Sequence, residues 1–178
     1  IYADDNPIIH SPDGQKLVLF ATEQIAVLDL ATFQLDLIPL PYAVIGISHD
    51  VAFPAVYWHD DATFSTLISD AVDTLSAAKP YLGLTDVFDS EASFSVWRVD
   101  IGNLTATKQS SFQGNLLMAS LSANGRSLIY MHQDFSNNRF LYLADVVTGE
   151  FSLYDEGQQI QLRDLSPDGS RFVYQKPT

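Results

Sequence analysis

Short apolar runs separated by polar turns follow one another along most of this chain. Three such runs follow a turn that ends in Gly, after two intervening residues: Leu17–Phe20, Leu128–Met131 and Phe172–Tyr174. Another apolar run precedes most of the turns, as Leu116–Leu121 does. Runs of this length, bounded by turn residues at hairpin spacing, are typical of β-strands. The pattern therefore predicts an all-β chain built from consecutive hairpins.

One four-residue turn recurs along the sequence. Its full copies are Ser11-Pro12-Asp13-Gly14 and Ser166-Pro167-Asp168-Gly169, and a relative is Ser122-Ala123-Asn124-Gly125. Pro has the φ angle that a type I turn requires at its second position, Asp or Asn suits the third, and Gly accepts the positive φ that follows. We interpret these residues as structural turns, and Ser48-His49-Asp50 as a decayed copy.

A second element recurs in phase with the first. Three apolar runs end in Asp followed by another apolar residue: Ile25–Asp29, Val96–Asp100 and Leu141–Asp145. A polar turn and a further short strand come next, over Phe33–Ile38, Leu104–Lys108 and Phe151–Tyr154. The carboxylate of an Asp in such a turn can accept backbone N–H groups. We therefore predict structural roles for Asp29, Asp100 and Asp145.

Together the two elements define one repeating unit: strand a, the Ser-Pro-Asp-Gly turn, strand b, a loop, strand c, the Asp turn and strand d. Four short antiparallel strands at intervals of roughly 40 residues are typical of a propeller blade. Over residues 8–58 and 94–176 the chain resembles the TolB-like propellers with their PD40 (WD40-like) repeat. The resemblance implies a β-propeller; a sandwich or barrel with similar turns is the alternative.

The repeat is irregular over residues 59–93. We assign Val51–Trp58 to strand b after the decayed turn. Phe64–Asp70 then fits a strand c, or Thr63–Ser93 is one long insertion between strands b and c, with a helical turn within Ser69–Lys79. The chain accordingly carries either about three and a half or about four and a half blades.

The first and last strands of the pattern do not complement each other. The chain opens on a strand a near Pro7–His10 and closes on a strand b at Arg171–Gln175. We expect residues 1–178 to form a single partial propeller domain whose open apolar faces need cover. The remaining blades of a longer chain, or another chain, would supply that cover; a face-to-face homo-oligomer is the less favoured option.

Composition and charge narrow the function. The chain has 22 Asp and Glu against 9 Lys and Arg, for a net charge of −13. Nucleic acid and anionic membranes are poor partners for such a surface, because both require clustered cations. The sequence has no Cys, which excludes disulfides and thiolate sites. No apolar run is long enough to insert into a membrane.

Two segments offer candidate binding residues. Tyr57-Trp58-His59-Asp60-Asp61 aligns with Tyr130-Met131-His132-Gln133-Asp134, and both then lie in b–c loops, which share one face of a propeller. His59, Asp60, Asp61, His132 and Asp134 could form a divalent metal site or a polar binding mouth. The alternative is that they are solvated loop residues inherited from the repeat.

Catalytic motifs are absent from the sequence. It contains no Gly-x-Ser-x-Gly elbow and no Gly-rich phosphate loop. We therefore predict no catalytic residue and no cofactor. The resemblance implies a non-catalytic scaffold that binds a protein partner outside the cytoplasm, as a periplasmic, secreted or lipoprotein-anchored module. The alternatives are the substrate-gating propeller of a prolyl-oligopeptidase-type serine peptidase, and a metal- or sugar-binding propeller.

Overall fold

The computed structural model describes six stretches of the chain: residues 9–21, 24–40, 56–69, 93–114, 116–134 and 136–176. Within them the chain forms fourteen strands. These are β1 (Ile9–His10), β2 (Lys16–Ala21), β3 (Gln24–Asp29), β4 (Leu35–Pro39), β5 (Val56–Trp58), β6 (Thr63–Ser69), β7 (Ser93–Asp100), β8 (Thr105–Gln113), β9 (Leu116–Leu121), β10 (Ser127–Gln133), β11 (Arg139–Asp145), β12 (Phe151–Gly157), β13 (Gln161–Leu165) and β14 (Phe172–Gln175).

The strands form three four-stranded sheets and one hairpin. Their orders are β1-β2-β3-β4, β5-β6-β7-β8, β12-β11-β10-β9 and β13-β14. Every pairing is antiparallel and joins strands consecutive in sequence. Such four-stranded meanders are propeller blades, so the predicted all-β propeller class is confirmed. Among the described residues there is no helix of the length and apolarity that a membrane span needs.

Apolar residues alternate along the strands, and each pair of successive sheets buries a cluster between them. Val18 and Ile25 of the first sheet pack with Phe64 and Trp97 of the second. A second cluster joins sheets two and three, and a third joins sheet three to the β13-β14 hairpin. Because both faces of each middle sheet are buried, the sheets stack in series rather than as the two layers of a sandwich.

The second blade has a different phase from the predicted one. Val56–Trp58 is the first strand of its sheet, not strand b, and Thr63–Ser69 is the second strand, not a strand c that ends at Asp70. The physical reason is the turn between them: Asp60 Oδ1 accepts the N–H groups of Ala62 and Thr63, at 2.8 and 2.7 Å. A carboxylate thus builds the turn without Ser, Pro or Gly.

The predicted insertion, decayed turn and helical turn of this blade fall only partly within the described residues. Strand β6 pairs with β7, with Phe64 opposite Val99. The connection between strands b and c therefore spans residues 70–92, shorter than the predicted insertion over Thr63–Ser93. The decayed turn at 48–50 lies outside the described residues. So does the helical turn predicted within Ser69–Lys79, except for Ser69, which belongs to β6.

The recurring turns share one hydrogen-bonding scheme. Ser11 Oγ donates to Asp13 Oδ1 at 2.5 Å and accepts the N–H of Lys16 at 2.9 Å. Ser122 with Asn124, and Ser166 with Asp168, repeat this arrangement. Each turn closes on a glycine of positive φ, between 69° and 74°: Gly14, Gly125 and Gly169. The Ser and Asp or Asn side chains thus replace water as partners of the turn backbone.

The Asp residues that end the third strands cap the following turns. Asp29 Oδ1 accepts the N–H groups of Ala31 and Thr32, and Asp145 Oδ1 accepts those of Val147 and Thr148. Asp100 bonds the backbone and the side chain of Asn103. These bonds favour the ionised form, and the pKa of each of the three carboxyls is lowered.

Candidate functional site

The two predicted binding segments lie at opposite ends of the blades. His59, Asp60 and Asp61 belong to the β5–β6 turn, which joins strands a and b, whereas His132 and Asp134 lie where β10 leads into β11. The His59 ring contacts Ala123 in the β9–β10 turn, at the other end of β10 from His132. The alignment that placed both segments in b–c loops is wrong, because the second blade is shifted in phase.

His59 joins two blades. Its Nδ1 donates to the carbonyl oxygen of Ala123 at 2.6 Å, which requires the proton on Nδ1, and Nε2 lies 2.7 Å from Ser65 Oγ. A serine on a histidine oriented by a third group resembles a nucleophile and its base. However, Ser65 is only 2% exposed, and a Cβ on Gly125 would lie 2.7 Å from His59 Cε1. Because the Ser65 hydroxyl is buried and the His59 ring lies against Gly125, we interpret the contact as structural.

The neighbouring acids do not assemble a metal site. Both oxygens of Asp60 are bonded within the turn, and its pKa is lowered chiefly by the N–H of Ala62 and the hydroxyl of Thr63. Asp61 is exposed. In the part of the chain that the structure describes, no three His, Cys, Asp or Glu side chains are grouped as metal ligands.

His132 and Asp134 shape the β10–β11 loop. The His132 ring stacks on Phe140, with centroids 5.8 Å apart, and Gly114 lies against it. Asp134 accepts the N–H groups of Ser136 and Asn138 and the side-chain amide of Asn138 at 2.8–3.0 Å. The Asn138 amide is the main cause of the lowered pKa of Asp134. Asp134 therefore organises the loop that leads to Arg139.

A polar cleft lies beside this loop. Its volume is about 240 Å³, it is open to solvent, and it is lined by Arg139, Gln158, Gln159, Gln161 and Gln175. Arg139 begins β11, and the glutamines come from the β12–β13 connection and from the ends of β13 and β14. Loops b–c and d–a meet here, as they do on one face of any propeller. We call these five residues the Arg139 cleft.

Hydrogen bonds hold Arg139 in place. Its Nε donates to Gln133 Oε1 at 3.1 Å and its Nη1 to the carbonyl oxygen of Ile160 at 2.9 Å. Gln133 is itself fixed, because its amide donates to Asn137 Oδ1 at 3.0 Å. A guanidinium has five N–H donors, so two bonds leave three for a ligand. The side chain is half-buried, which limits its freedom before any ligand arrives.

Among the described residues, no neighbour neutralises the charge of Arg139. Both acceptors of its guanidinium are neutral, and no carboxylate lies within 4 Å of it in the described ranges. Lys176, by contrast, pairs with Asp155 at 2.6 Å, and Arg126 pairs with Asp145 at 3.1 Å. A second cation is close to the cleft, because Arg163 Nη2 donates to Gln175 Oε1 at 2.9 Å.

The sequence did not point to the Arg139 cleft. Its residues come from three separate segments and include no His or acid, the residue types that metal and catalytic motifs require. The one available signal was the glutamine-rich run Gly157-Gln158-Gln159-Ile160-Gln161. Asp134 lies in the loop that leads to Arg139, and the structure gives it a role in shaping that loop.

Comparison with known proteins places the fold. No family model matches the sequence, and no curated protein matches it. Among solved structures, the acylaminoacyl peptidase of Pyrococcus horikoshii matches 96% of this chain and 28% of its own, with a TM-score of 0.55 and 19% identity. TolB from Acinetobacter baumannii matches 84% and 32%, with a TM-score of 0.47 and 20% identity.

A third similar structure is itself described as a β-propeller domain. The β-propeller domain of the Trilobed protease from Pyrococcus furiosus matches 90% of this chain and 46% of its own, with a TM-score of 0.45 and 12% identity. The chain spans less than half the length of each of these three proteins. TolB and the β-propeller domain of a protease are among the solved structures that this chain is similar to, and its own four-stranded sheets are β-propeller blades.

Proposed function

We propose that this chain is a non-catalytic propeller module that binds a protein partner on the face formed by the β10–β11 loop and the β12–β13 connection. The observation that carries the proposal is the Arg139 cleft. Its lining offers one guanidinium and four side-chain amides. The guanidinium donates hydrogen bonds and the amides both donate and accept them, which suits recognition rather than proton transfer.

The bonds made by the serine, histidine and aspartate side chains also support a non-catalytic module. The Ser65 hydroxyl and the His59 ring are bonded to each other inside a blade interface. The carboxylates of Asp60 and Asp134 are bonded to the backbone of their own turns. Side chains that serve turn geometry in this way are poorly placed to attack or protonate a substrate.

A second candidate is the substrate-gating propeller of a serine peptidase. Two acylaminoacyl peptidase structures match 96% of the chain with a TM-score of 0.55, which supports a shared fold. In that case the nucleophile would lie outside residues 1–178. A Gly-x-Ser-x-Gly segment in the gene beyond Thr178 favours this candidate, and a lipoprotein-type signal before Ile1 favours the first one, which we place outside the cytoplasm.

A random peptide library displayed on phage tests the proposal. Peptides retained by the folded chain should protect amides in residues 133–139 and 157–161 from hydrogen exchange, and mass spectrometry should recover them uncleaved. Protection confined to the β5–β6 and β9–β10 turns would place binding on the opposite face. Cleavage of a retained peptide would contradict a non-catalytic module.

A further inference from the structure

We propose that the Arg139 cleft recognises a carboxylate group of a bound peptide, with the Arg139 guanidinium as the principal contact. The inference rests on the proposed function and specifies the chemistry of its site. Arg139 has a fixed, half-buried position and bonds only neutral oxygen atoms among the described residues. The fork of a guanidinium matches the two oxygens of a carboxylate.

The charge distribution makes an anion the fitting occupant. The whole chain has a net charge of −13, so a site without a neighbouring acid is unusual in it. Of the two acids near the end of β12, Asp155 is bonded by both Lys176 and Tyr174, and Glu156 is exposed. Arg163 adds a second positive charge behind Gln175. The lining of the cleft therefore contains one positive charge and no negative charge.

The glutamines define how much of a peptide fits. A volume of about 240 Å³ is below the ~300–1,000 Å³ of sites that enclose a whole small molecule. An end group or a single side chain fits instead. The amides of Gln158, Gln159 and Gln161 can bond the peptide groups next to that carboxylate, because each has both a donor and an acceptor. The carboxylate itself can come from a chain terminus or from an acidic side chain.

Four short peptides distinguish these sources. The free acid Ac-Gly-Gly-Ala is compared with its C-terminal amide, and Ac-Gly-Glu-Gly-amide is compared with Ac-Gly-Gln-Gly-amide, by titration followed by NMR at low salt. In one of the two pairs, we expect the acidic peptide to bind at least about tenfold more tightly than its neutral counterpart, since charge-assisted hydrogen bonds to Arg are the strong ones. The pair that shows the difference identifies the source.

Variants connect that preference to the cleft. Arg139→Gln should remove the preference for the acid, while Arg171→Gln should leave affinity within about twofold. Arg171 is a matched control because it is exposed in the β13–β14 turn and only its backbone is bonded in the described part. Arg139→Gln also removes the bond from Arg139 to Ile160, so a second variant that leaves this bond intact is needed. Gln159→Ala is that variant, and it should weaken binding of the acidic peptide severalfold.

The outcomes separate the two proposals. If acids and neutral peptides bind equally, or if Arg139→Gln keeps the preference while its thermal transition is unchanged, carboxylate recognition is wrong. Library peptides that still protect residues 133–139 would then leave the proposed binding face standing. Loss of that protection with every peptide would overturn both.

Discussion

The backbone N–H of Ala123 donates to the carbonyl oxygen of Pro167 at 2.8 Å, so the β9–β10 turn is bonded directly to the β13–β14 turn. On its other side the same turn receives His59 from the β5–β6 turn, through the carbonyl of Ala123. The a–b turns of three successive blades therefore form one continuous contact. This row of turns supplements the apolar clusters as a link between blades, and it can be tested residue by residue.

Removal of His59 should weaken the link between the second and third blades. In His59→Ala the hydroxyl of Ser65, which is 2% exposed, loses its partner and Ala123 loses a donor. A buried polar group left unpaired costs about 1–3 kcal/mol. Urea denaturation should show a lower free energy of unfolding by that amount. His10→Ala is the control, since His10 is exposed; an equal loss there would contradict the specific role of His59.

Two turn glycines with the same backbone conformation should differ in their tolerance of alanine. Gly14 has φ +69° with nothing within 4 Å of an added Cβ, whereas at Gly169, φ +74°, that Cβ would lie 2.6 Å from Ser127 Cβ and 3.1 Å from Ser122 Cβ. The left-handed conformation costs either variant about 1–2 kcal/mol.

The clash should make Gly169→Ala the more damaging of the two, by a further ~1–3 kcal/mol, because Ser122 and Ser127 belong to the packed neighbouring blade. Thermal or urea unfolding of the two variants in parallel measures the difference. Equal losses would show that the turns do not press on one another in solution.

Removal of the hydroxyl should have different effects on the stability of the protein at Tyr130 and at Tyr57. Tyr130 is completely buried, burial raises its pKa, and its hydroxyl has no partner among the described residues. Tyr130→Phe should therefore leave stability unchanged or increase it, because desolvation of that hydroxyl is uncompensated.

The Tyr57 hydroxyl donates to the carbonyl of Ala119 at 3.0 Å, and burial is the main reason that its pKa is raised to about 12. Tyr57→Phe should cost about 1 kcal/mol, as the loss of one hydrogen bond does. Denaturant midpoints at constant m-value provide the comparison. A destabilised Tyr130→Phe would contradict an uncompensated desolvation of its hydroxyl.

Acid should weaken the last turn through Asp168. Hydrogen bonds from the Ser166 hydroxyl first, then from the Ser170 backbone and hydroxyl, lower the pKa of Asp168 from 3.8 to about 2. The folded pKa is below the unfolded one, so ionised Asp168 contributes stability above pH 3.8. That contribution is lost as the pH falls from 3.8 to about 2.

Asp168→Asn isolates this effect, because Asn124 already occupies the same position in the β9–β10 turn and accepts the Ser122 hydroxyl at 2.7 Å. The variant should be less stable than the parent at neutral pH, and the two should converge near pH 2 in urea midpoints. Asp61→Asn serves as the control, since its exposed carboxylate is not bonded in the described part of the turn. A gap that does not narrow with acid would rule out the carboxylate as its source.

Local chemistry accounts for what could be predicted in the first, third and last blades. The Ser-Pro-Asp-Gly turns and the Asp-ended strands form their bonds within a few residues, as Ser11 does with Asp13 and Lys16, so their sequence suffices to specify them. The second blade lacks this signal, because Asp60 builds its a–b turn from different residue types. Its phase, and with it the location of His59, therefore escaped prediction.

The sequence by itself determined the all-β class, the four-strand repeat and the turns, since short-range hydrogen bonds and strand alternation encode them. Only the tertiary structure decided which loops meet. Arg139, Gln159 and Gln175 share a cleft because β11 begins and β14 ends at the side of the stacked sheets where the β12–β13 connection lies. His59 meets Ala123 for the same kind of reason: the packing of one sheet on the next sets the distance between residues far apart in the chain.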